Sequence, residues 1–250
     1  MTAIGIFVAT RWELSAVRRA FSVTDIRSVG GIRCMVARQA QVDWWIVPMG
    51  VGPERAAATA GILLAERRFT CVWSAGFACA LRPARIGDVL LGTQVAMDGE
   101  TDAGPWIECA PAMIEWARQT VQQLLPVQTG RFVTIPRVLC RAADKQKVAV
   151  RTEGIGLDME SAALGLVASK RQIPFGIVRT VSDLVDEDLP LDFNLFLRPS
   201  GWVKGAAACL THPTSLFGLN RLRVQSLVAG TQLTTLYRAF AGRVLPAGAA

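Results

Sequence analysis

Two carboxylates flank a methionine at Asp158-Met159-Glu160, directly before a run of small and apolar residues that is typical of a buried helix. Acidic residues are common at a helix start because the positive end of the helix dipole stabilises negative charge. A carboxylate in this position can instead face a ligand, where it binds hydroxyl groups or stabilises a developing positive charge. The pattern alone leaves both roles open for the two acids.

A serine–aspartate pair, Ser182-Asp183, ends the segment IPFGIVRTVSD, which predicts a buried strand. Serine and aspartate after a strand often cap a turn, which is a purely structural role. A carboxyl group at this place could alternatively act as a general acid if it enters the reaction protonated.

The elements around these residues indicate one α/β domain. The chain has 250 residues, 51% of them hydrophobic and 19% charged, which is enough apolar material for a large single core. Apolar segments of strand length alternate with Gly/Pro turns and helical patterns. This order predicts a single domain with a mainly parallel, mixed central sheet flanked by helices. The predicted strands are 2–9, 43–49, 71–81, 86–97 and 173–183, and the clearest helices are 12–21, 53–66 and the segment after Glu160.

In such sheets ligands bind beyond the carboxyl ends of the strands. This rule selects residues 10–13 after the first strand, Gly76 with Phe77 where the strand 71–81 is expected to enter a glycine turn, and Ser182 with Asp183. Glu160 lies at the entry of the helix that leads to the last strand. The candidates are therefore expected at one edge of the sheet.

Composition argues against several classes of site. The six cysteines form no CxxC pair and lie mostly in apolar strings, so we expect buried free thiols. His212 is the only histidine, and no metal site is expected. No apolar run reaches the roughly 18 residues that span a bilayer, and the first residues lack a basic region with a cleavage site. We therefore expect a cytoplasmic protein.

The last part of the chain is basic. Residues 193–250 contain six Lys or Arg residues and no acid, which points to an anionic partner such as a membrane surface or nucleic acid, although a solvated basic face is commoner. The tail lacks regularly interleaved aromatics and its basic residues are sparse, so nucleic acid is not expected. Apolar residues recur there every three to four positions, as on one face of a helix: Leu216, Leu219, Leu222, Leu233, Leu236, Tyr237 and Phe240. Such a helix could contact the inner membrane peripherally, or pack on the sheet or on a partner subunit.

Four segments, in this order, resemble the nucleoside phosphorylase and nucleosidase superfamily: AIGIFVATRWEL, VGPERAAATAGILLAE, SAGFACALRPARIGDVLL and DMESAALGLVASKRQIPFGIVRTVSD. DMESA is similar to the family's Met-Glu ribose motif, and RTVSD to its Ser-Asp purine motif. The remainder, including DEDLPLDFNLFLRPSG, is most similar to the hopanoid-associated phosphorylase branch. On this basis residues 1–192 are expected to form the catalytic domain, and residues 193–250 a basic, largely helical extension of it.

The resemblance implies an enzyme that cleaves the N-glycosidic bond of an adenosine-type nucleoside and releases adenine. Asp183 would supply a proton to purine N7, with Ser182 beside it in the purine motif. Glu160 would bind the ribose hydroxyls, and Met159 would pack its thioether against the sugar. Asp158 is then expected only to complement the helix dipole.

The identity of the nucleophile is left open by the sequence. Glu13 matches the carboxylate that contacts the attacking water in hydrolytic members, but it could equally be a first-turn helix acid. A phosphate nucleophile needs cations or N–H donors, which Arg11 and the Gly76-Phe77 segment could offer.

The branch resemblance favours phosphorolysis of a lipid-linked adenosine, adenosylhopane, with inorganic phosphate as co-substrate and no other cofactor. The alternatives are a methylthioadenosine/S-adenosylhomocysteine nucleosidase and a non-catalytic nucleoside-binding homologue, and the family implies a homodimer or higher oligomer.

Two segments depart from the family pattern. SAGFACAL carries Phe77, Cys79 and Ala80 where smaller or glycine residues are usual, which weakens the expected amide cradle. VLCRAADKQK replaces the stretch that in many relatives supplies an aromatic ring to stack on the base.

Overall fold

A computed structural model of the chain describes residues 2–39, 41–99, 104–194 and 214–243, and for 214–217 only the backbone. The strands within these ranges are β1 (Thr2–Val8), β2 (Asp25–Val29), β3 (Ile32–Gln39), β4 (Val42–Pro48), β5 (Cys71–Ala80), β6 (Val89–Met97), β7 (Ile107–Glu108), β8 (Val127–Thr134), β9 (Gly156–Asp158) and β10 (Phe175–Leu184). The helices are α1 (Arg11–Arg18), α2 (Pro53–Glu66), α3 (Pro111–Val121), α4 (Ala142–Thr152), α5 (Ser161–Lys170) and α6 (Thr214–Ala241). The expected α/β domain with a mixed central sheet flanked by helices is confirmed.

The strands that carry the candidate residues pair in parallel. The sheet runs β2-β3-β4-β1-β5, and β1 pairs in parallel with both β4 and β5, while β5 pairs in parallel with β10. Parallel strands end at the same edge of a sheet, so residues that follow β1, β4 and β10 meet there. Each of these strands is almost wholly buried, because helices cover both faces of a parallel sheet.

The far half of the sheet closes on itself. β5 pairs with β10, β10 with β6, β6 with β8, β8 with β9, and β9 pairs back to β5. A closed ring of five strands leaves no free edge, so the strand ends that it contains are held from both sides. The sequence analysis did not anticipate this closure, because its smallest member, β9, has three residues.

The structure confirms the predicted bounds of α2 but extends β5 past the predicted turn at Gly76. α2 covers the expected residues 53–66, with Pro53 in its first turn, where the missing N–H costs no hydrogen bond. In contrast, Gly76 does not open a turn, because β5 continues through it to Ala80. Gly76 has φ +146, a conformation that L side chains rarely adopt.

The C-terminal helix is part of the core. α6 packs against α1, α3 and β10, and four of its predicted apolar residues, Leu233, Leu236, Tyr237 and Phe240, are fully buried. Packing on the sheet therefore accounts for the second half of its apolar face. Leu219 and Leu222 are half-buried, and the side chain of Leu216 lies outside the described residues.

Candidate active site

A buried arginine organises the candidate residues. Arg179 of β10 has no exposed surface, and its guanidinium lies 2.9 Å from Asp158, 3.6 Å from Glu160 and 3.8 Å from Glu13. It also donates to the carbonyl of Ala75 and to the hydroxyls of Ser74 and Ser161. Burial lowers the pKa of Arg179, but the three carboxylates outweigh this effect and raise it. The guanidinium is thus a fixed positive charge among three acids.

Glu13 is fixed in the first turn of α1. Its Oε2 accepts hydrogen bonds from the amides of Ala9 and Thr10 and from the Thr10 hydroxyl, and the Thr10 hydroxyl accepts from the Glu13 amide in a capping box. Its Oε1 accepts from the Phe77 amide at 2.7 Å and faces Arg179. Glu13 is therefore both a first-turn helix acid and a buried carboxylate of the site.

Gly76 makes room for this arrangement. A Cβ added at position 76 would lie 2.1 Å from Glu13 Oε1 and 2.7 Å from Arg179 Nη1, closer than real side-chain contacts allow. The Phe77 ring lies on the α6 side, where a Cβ at Gly230 would be 3.7 Å from its Cζ. Phe77 thus contributes its main-chain amide to the site, and that amide is already bonded to Glu13.

The two acids that flank Met159 have different surroundings. Asp158 Oδ1 accepts from the amides of Glu160 and Ser161 at the start of α5, as expected for a helix-dipole acid, and from the Thr134 hydroxyl. Its Oδ2 accepts from the Ser161 hydroxyl and pairs with Arg179. Asp158 therefore also holds the guanidinium, a contact that the sequence did not suggest.

Glu160 is the least satisfied of the three acids. Its Oε1 accepts from the Gly52 amide in the loop after β4, and its Oε2 lies 3.6 Å from Arg179. Burial, together with the charges of Asp158 and Glu13, raises the pKa of Glu160 to about 8, although Arg179 and the Gly52 amide oppose the shift. Glu160 is 4% exposed, and the adjacent Met159 is half-buried.

Asp183 is positioned by an irregularity in β10. The β10–β5 register shifts between Val181, opposite Ala78, and Asp183, opposite Cys79, so Ser182 is the extra residue of a β-bulge. The Ser182 Oγ lies 3.0 Å from Asp183 Oδ1 and 3.4 Å from the Ala78 carbonyl. Asp183 and Glu13 are thereby tied to neighbouring parts of β5, at Cys79 and Phe77, about 7 Å apart along the strand.

The other oxygen of Asp183 belongs to an ion pair. Lys145 of α4 is fully buried, and its Nζ lies 2.9 Å from Asp183 Oδ2. Nζ also donates to the carbonyls of Leu184 and Glu187. Lys145 lies within the VLCRAADKQK segment, so the stretch that departs from the family pattern supplies a cation beside Asp183.

Arg11 is not part of the carboxylate cluster. It is exposed and lines a cavity of about 410 Å³ between α1, α2 and the end of β4, together with Thr10, Met49, Gly50 and Arg55. Within the described ranges neither Arg11 nor Arg55 forms an ion pair or hydrogen bond. The cavity adjoins the site through Thr10, which caps Glu13, and Gly50, two residues before Gly52.

Two residues at the centre of the site were missed by the sequence analysis, Arg179 and Lys145. Arg179 had a readable signal, because it interrupts the otherwise apolar strand FGIVRTV, and a buried charge requires partners. Lys145 had no such signal, because it lies in a polar segment, AADKQK, that is typical of an exposed helix.

The part of the chain that the structure describes contains no cluster of three or more His, Cys, Asp or Glu residues able to hold a metal ion, and His212 lies outside it. Its five cysteines are free, and four of them are buried. No helix among the described residues is long and apolar enough to cross a membrane.

Comparison with known proteins assigns the family. Residues 3–201 match the model of the phosphorylase superfamily. The chain belongs to this superfamily. A 5′-methylthioadenosine/S-adenosylhomocysteine nucleosidase of Tolumonas auensis is 26% identical over 211 residues, which cover 78% of this chain and 92% of that protein.

Solved structures of the superfamily share the fold. A Francisella philomiragia protein aligns with a TM-score of 0.78 at 17% identity, covering 98% of this chain and all of that one. A mutant of the Helicobacter pylori 5′-methylthioadenosine/S-adenosylhomocysteine nucleosidase, solved with 5′-methylthioadenosine in the active site, aligns with a TM-score of 0.69 at 19% identity, covering 90% of this chain and 99% of that one. The predicted membership in the superfamily, and with it the prediction of a phosphorylase- or nucleosidase-type enzyme, is confirmed.

Proposed function

We propose that this enzyme releases adenine from a 5′-substituted adenosine, such as 5′-methylthioadenosine or S-adenosylhomocysteine, by attack of water on C1′. The curated relatives carry nucleosidase names, which supports the hydrolytic alternative over the phosphorolysis that the sequence favoured. The observation that carries the proposal is the state of the Phe77 amide. It donates to Glu13 and is therefore not free to hold a phosphate.

The charge of the site supports the same conclusion. Three carboxyl groups, those of Glu13, Asp158 and Glu160, surround the single guanidinium of Arg179. The Glu13 and Asp158 carboxylates outnumber this cation even when Glu160 is protonated. An acidic pocket repels a phosphate dianion, but it stabilises the positive charge that a ribosyl group acquires as its glycosidic bond breaks. The electrostatics therefore favour a neutral nucleophile and a cationic transition state.

The buried acids and their neighbours have separate roles in this reaction. Glu13, held by four hydrogen bonds, orients the attacking water and accepts its proton. Glu160 binds the ribose hydroxyls and Met159 packs against the sugar. Asp183, with Ser182 fixing one of its oxygens, protonates N7 so that the base leaves as neutral adenine. Gly76 admits the Glu13 carboxylate, and Arg179 holds the acids in place.

Phosphorolysis of a lipid-linked adenosine, as in the hopanoid-associated branch, is the second candidate. One observation favours it. Arg11 and Arg55 line a cavity that adjoins the site, and neither has an ion-pair partner among the residues that the structure describes. The same cations could bind an inorganic phosphate or a charged 5′ substituent. Adenosylhopane is therefore the substrate that tests this second candidate.

The test is adenine release from four substrates, 5′-methylthioadenosine, S-adenosylhomocysteine, adenosine and adenosylhopane, with Glu13→Gln as the catalytic control. We expect release from the first two in phosphate-free buffer, and a loss on the order of 10²-fold or more in the Glu13→Gln variant. Cleavage of adenosylhopane alone, and only with phosphate, would establish the second candidate instead.

We also propose that the chain forms a homo-oligomer and contacts a membrane surface, as the sequence predicts. Trp12, Ile62 and Leu166, on α1, α2 and α5, are at least 40% exposed, which suits a contact with a second copy of the chain. Light scattering is expected to report a dimer or larger oligomer.

On α6, Arg221 and Arg223 are exposed beside Val224, Leu227 and Val228, which suits an anionic membrane surface. Salt-sensitive co-sedimentation with anionic vesicles that is lost in Arg221→Ala/Arg223→Ala would support this contact.

A further inference from the structure

The ammonium group of Lys145 has all its hydrogen-bonding capacity used inside the protein. Its three N–H groups match three acceptors, the Asp183 carboxylate at 2.9 Å, the Leu184 carbonyl at 3.0 Å and the Glu187 carbonyl at 2.9 Å. Among the described residues Asp183 is its one carboxylate partner, because Glu187 offers Lys145 only its main chain.

Lys145 is charged despite its burial. Burial lowers the pKa of Lys145, but the Asp183 carboxylate, the largest of the opposing causes, helps to raise it above its usual range. Cys79 of β5 faces the same pair, and burial together with Asp183 raises the pKa of its thiol well above its usual range, so it stays uncharged at neutral pH. The pair therefore consists of one ammonium and one carboxyl group.

The packing of α4 fixes the position of the Lys145 ammonium group. Val148 and Ala149, one turn after Lys145, pack into a small apolar cluster with Cys79, Leu157 and Val133. The same cluster thus anchors α4 against the strand that pairs with Asp183. A cation held in this way orients one carboxyl oxygen and stabilises its negative charge.

We propose that Lys145 is a positioning residue for the general acid, holding Asp183 toward the purine and stabilising the carboxylate that forms when its proton passes to N7. This inference rests on the proposed function. Before each turnover Asp183 takes up one proton from solvent, which balances the proton that Glu13 returns to solvent.

As the C1′–N9 bond breaks, its electron pair stays on the purine, and the Asp183 proton moves to N7 to give neutral adenine. The water oxygen bonds to C1′, and the water proton moves to Glu13 and then to solvent. Asp183 is left as a carboxylate beside the Lys145 ammonium, which is the state that Lys145 stabilises most.

The test compares leaving groups. Lys145→Met should lower kcat for adenine release from 5′-methylthioadenosine by about 10²-fold, because an adenine leaving group needs the N7 proton. Cleavage of 4-nitrophenyl β-ribofuranoside, whose leaving group needs no such proton, should change by less than about threefold. Lys147→Met is the matched control, because Lys147 is on the same helix with a side chain that is 79% exposed, and it should change neither rate.

Two further variants keep the test decisive. Lys145→Arg retains a cation and should recover adenine release to within about tenfold of wild type, even if the Met variant is recovered unfolded. In the Asp183→Asn background, Lys145→Met should add almost no further loss, because the two residues act as one unit.

The inference would be overturned by a folded Lys145→Met enzyme that cleaves both substrates more slowly by the same factor. It would also be overturned if Lys145→Met lowered the rate of the Asp183→Asn enzyme by the full factor seen in wild type. Either result would make Lys145 a structural residue. A wild-type enzyme that releases no adenine would overturn the proposed function itself. The two failures are therefore distinguishable.

Discussion

Gly76 and Glu13 are in such close contact that position 76 tolerates no side chain, since a Cβ there would lie 2.1 Å from Glu13 Oε1. The expected result of Gly76→Ala is displacement of the Glu13 carboxylate and a loss of kcat/KM on the order of 10²-fold, because a shift of about 1 Å in a catalytic group has this effect. Gly61→Ala is the control, since no atom lies within 4 Å of its added Cβ in α2. The control should keep full activity, and an active Gly76→Ala enzyme would remove Glu13 from the mechanism.

Arg179 should be the most costly charged residue of the site to replace. Arg179→Met leaves Asp158, Glu160 and Glu13 buried without a cation, and loss of one partner of a buried ion pair costs about 3–5 kcal/mol. Chemical denaturation measures this change. Arg27→Met, which breaks the exposed pair with Asp25, should have a much smaller effect, because exposed ion pairs contribute little to stability. Equal effects of the two substitutions would show that Arg179 does not hold the acids together.

Glu160 should make the folded protein less stable as the pH rises from acidic to neutral and slightly alkaline values. The folded-state pKa of about 8 lies above the ordinary value of 4.5, so the folded protein binds this proton more tightly than the unfolded chain does. The associated stability is complete below pH 4.5 and is lost as the pH rises to 8. Glu160→Gln has no such loss, so its Tm relative to wild type should rise between pH 5 and pH 8.

The same substitution should lower kcat/KM, because an amide replaces the acid that we propose to contact the ribose in the transition state. A Tm difference that does not change with pH would contradict the protonated state of Glu160. An unchanged kcat/KM would return Glu160 to a helix-start role.

Asp183→Asn should keep the fold but lower adenine release by about 10² to 10⁴-fold, the usual contribution of a general acid. An amide can still accept a hydrogen bond from Lys145 and donate one to N7, but it cannot transfer a proton. Adenine release is followed by absorbance, and circular dichroism checks the fold. Release at the wild-type rate would remove Asp183 from the mechanism.

The sequence predicted the parallel part of the fold well, because buried strands such as β1, β4 and β10 are continuous apolar segments. It did not predict the β2–β3 hairpin, although its two-residue turn, Gly30-Gly31, with φ values of +54 and +80, is a recognisable signal. The ring closure through β9 depends on contacts between distant segments, which periodicity does not record.

The sequence predicted the acidic residues of the candidate site but not its cationic residues. Glu13, Glu160 and Asp183 stand at strand ends and helix starts, where chemistry is expected. Arg179 lies inside a strand, and its partners come from α1 and from the β9–α5 segment, far apart in sequence. Lys145 reaches Asp183 only because α4 docks on β5 and β9, a tertiary arrangement with no local signature.

The product formed from 5′-methylthioadenosine when phosphate is abundant distinguishes hydrolysis from phosphorolysis most directly. Proton and phosphorus NMR on the same sample distinguish the free sugar from its 1-phosphate. We predict adenine and free 5-methylthioribose, formed at the same rate with and without phosphate, because Glu13 holds the Phe77 amide and the acids around Arg179 repel an anion. A sugar 1-phosphate that forms only with phosphate would contradict hydrolysis, and the absence of adenine would contradict glycosidic cleavage altogether.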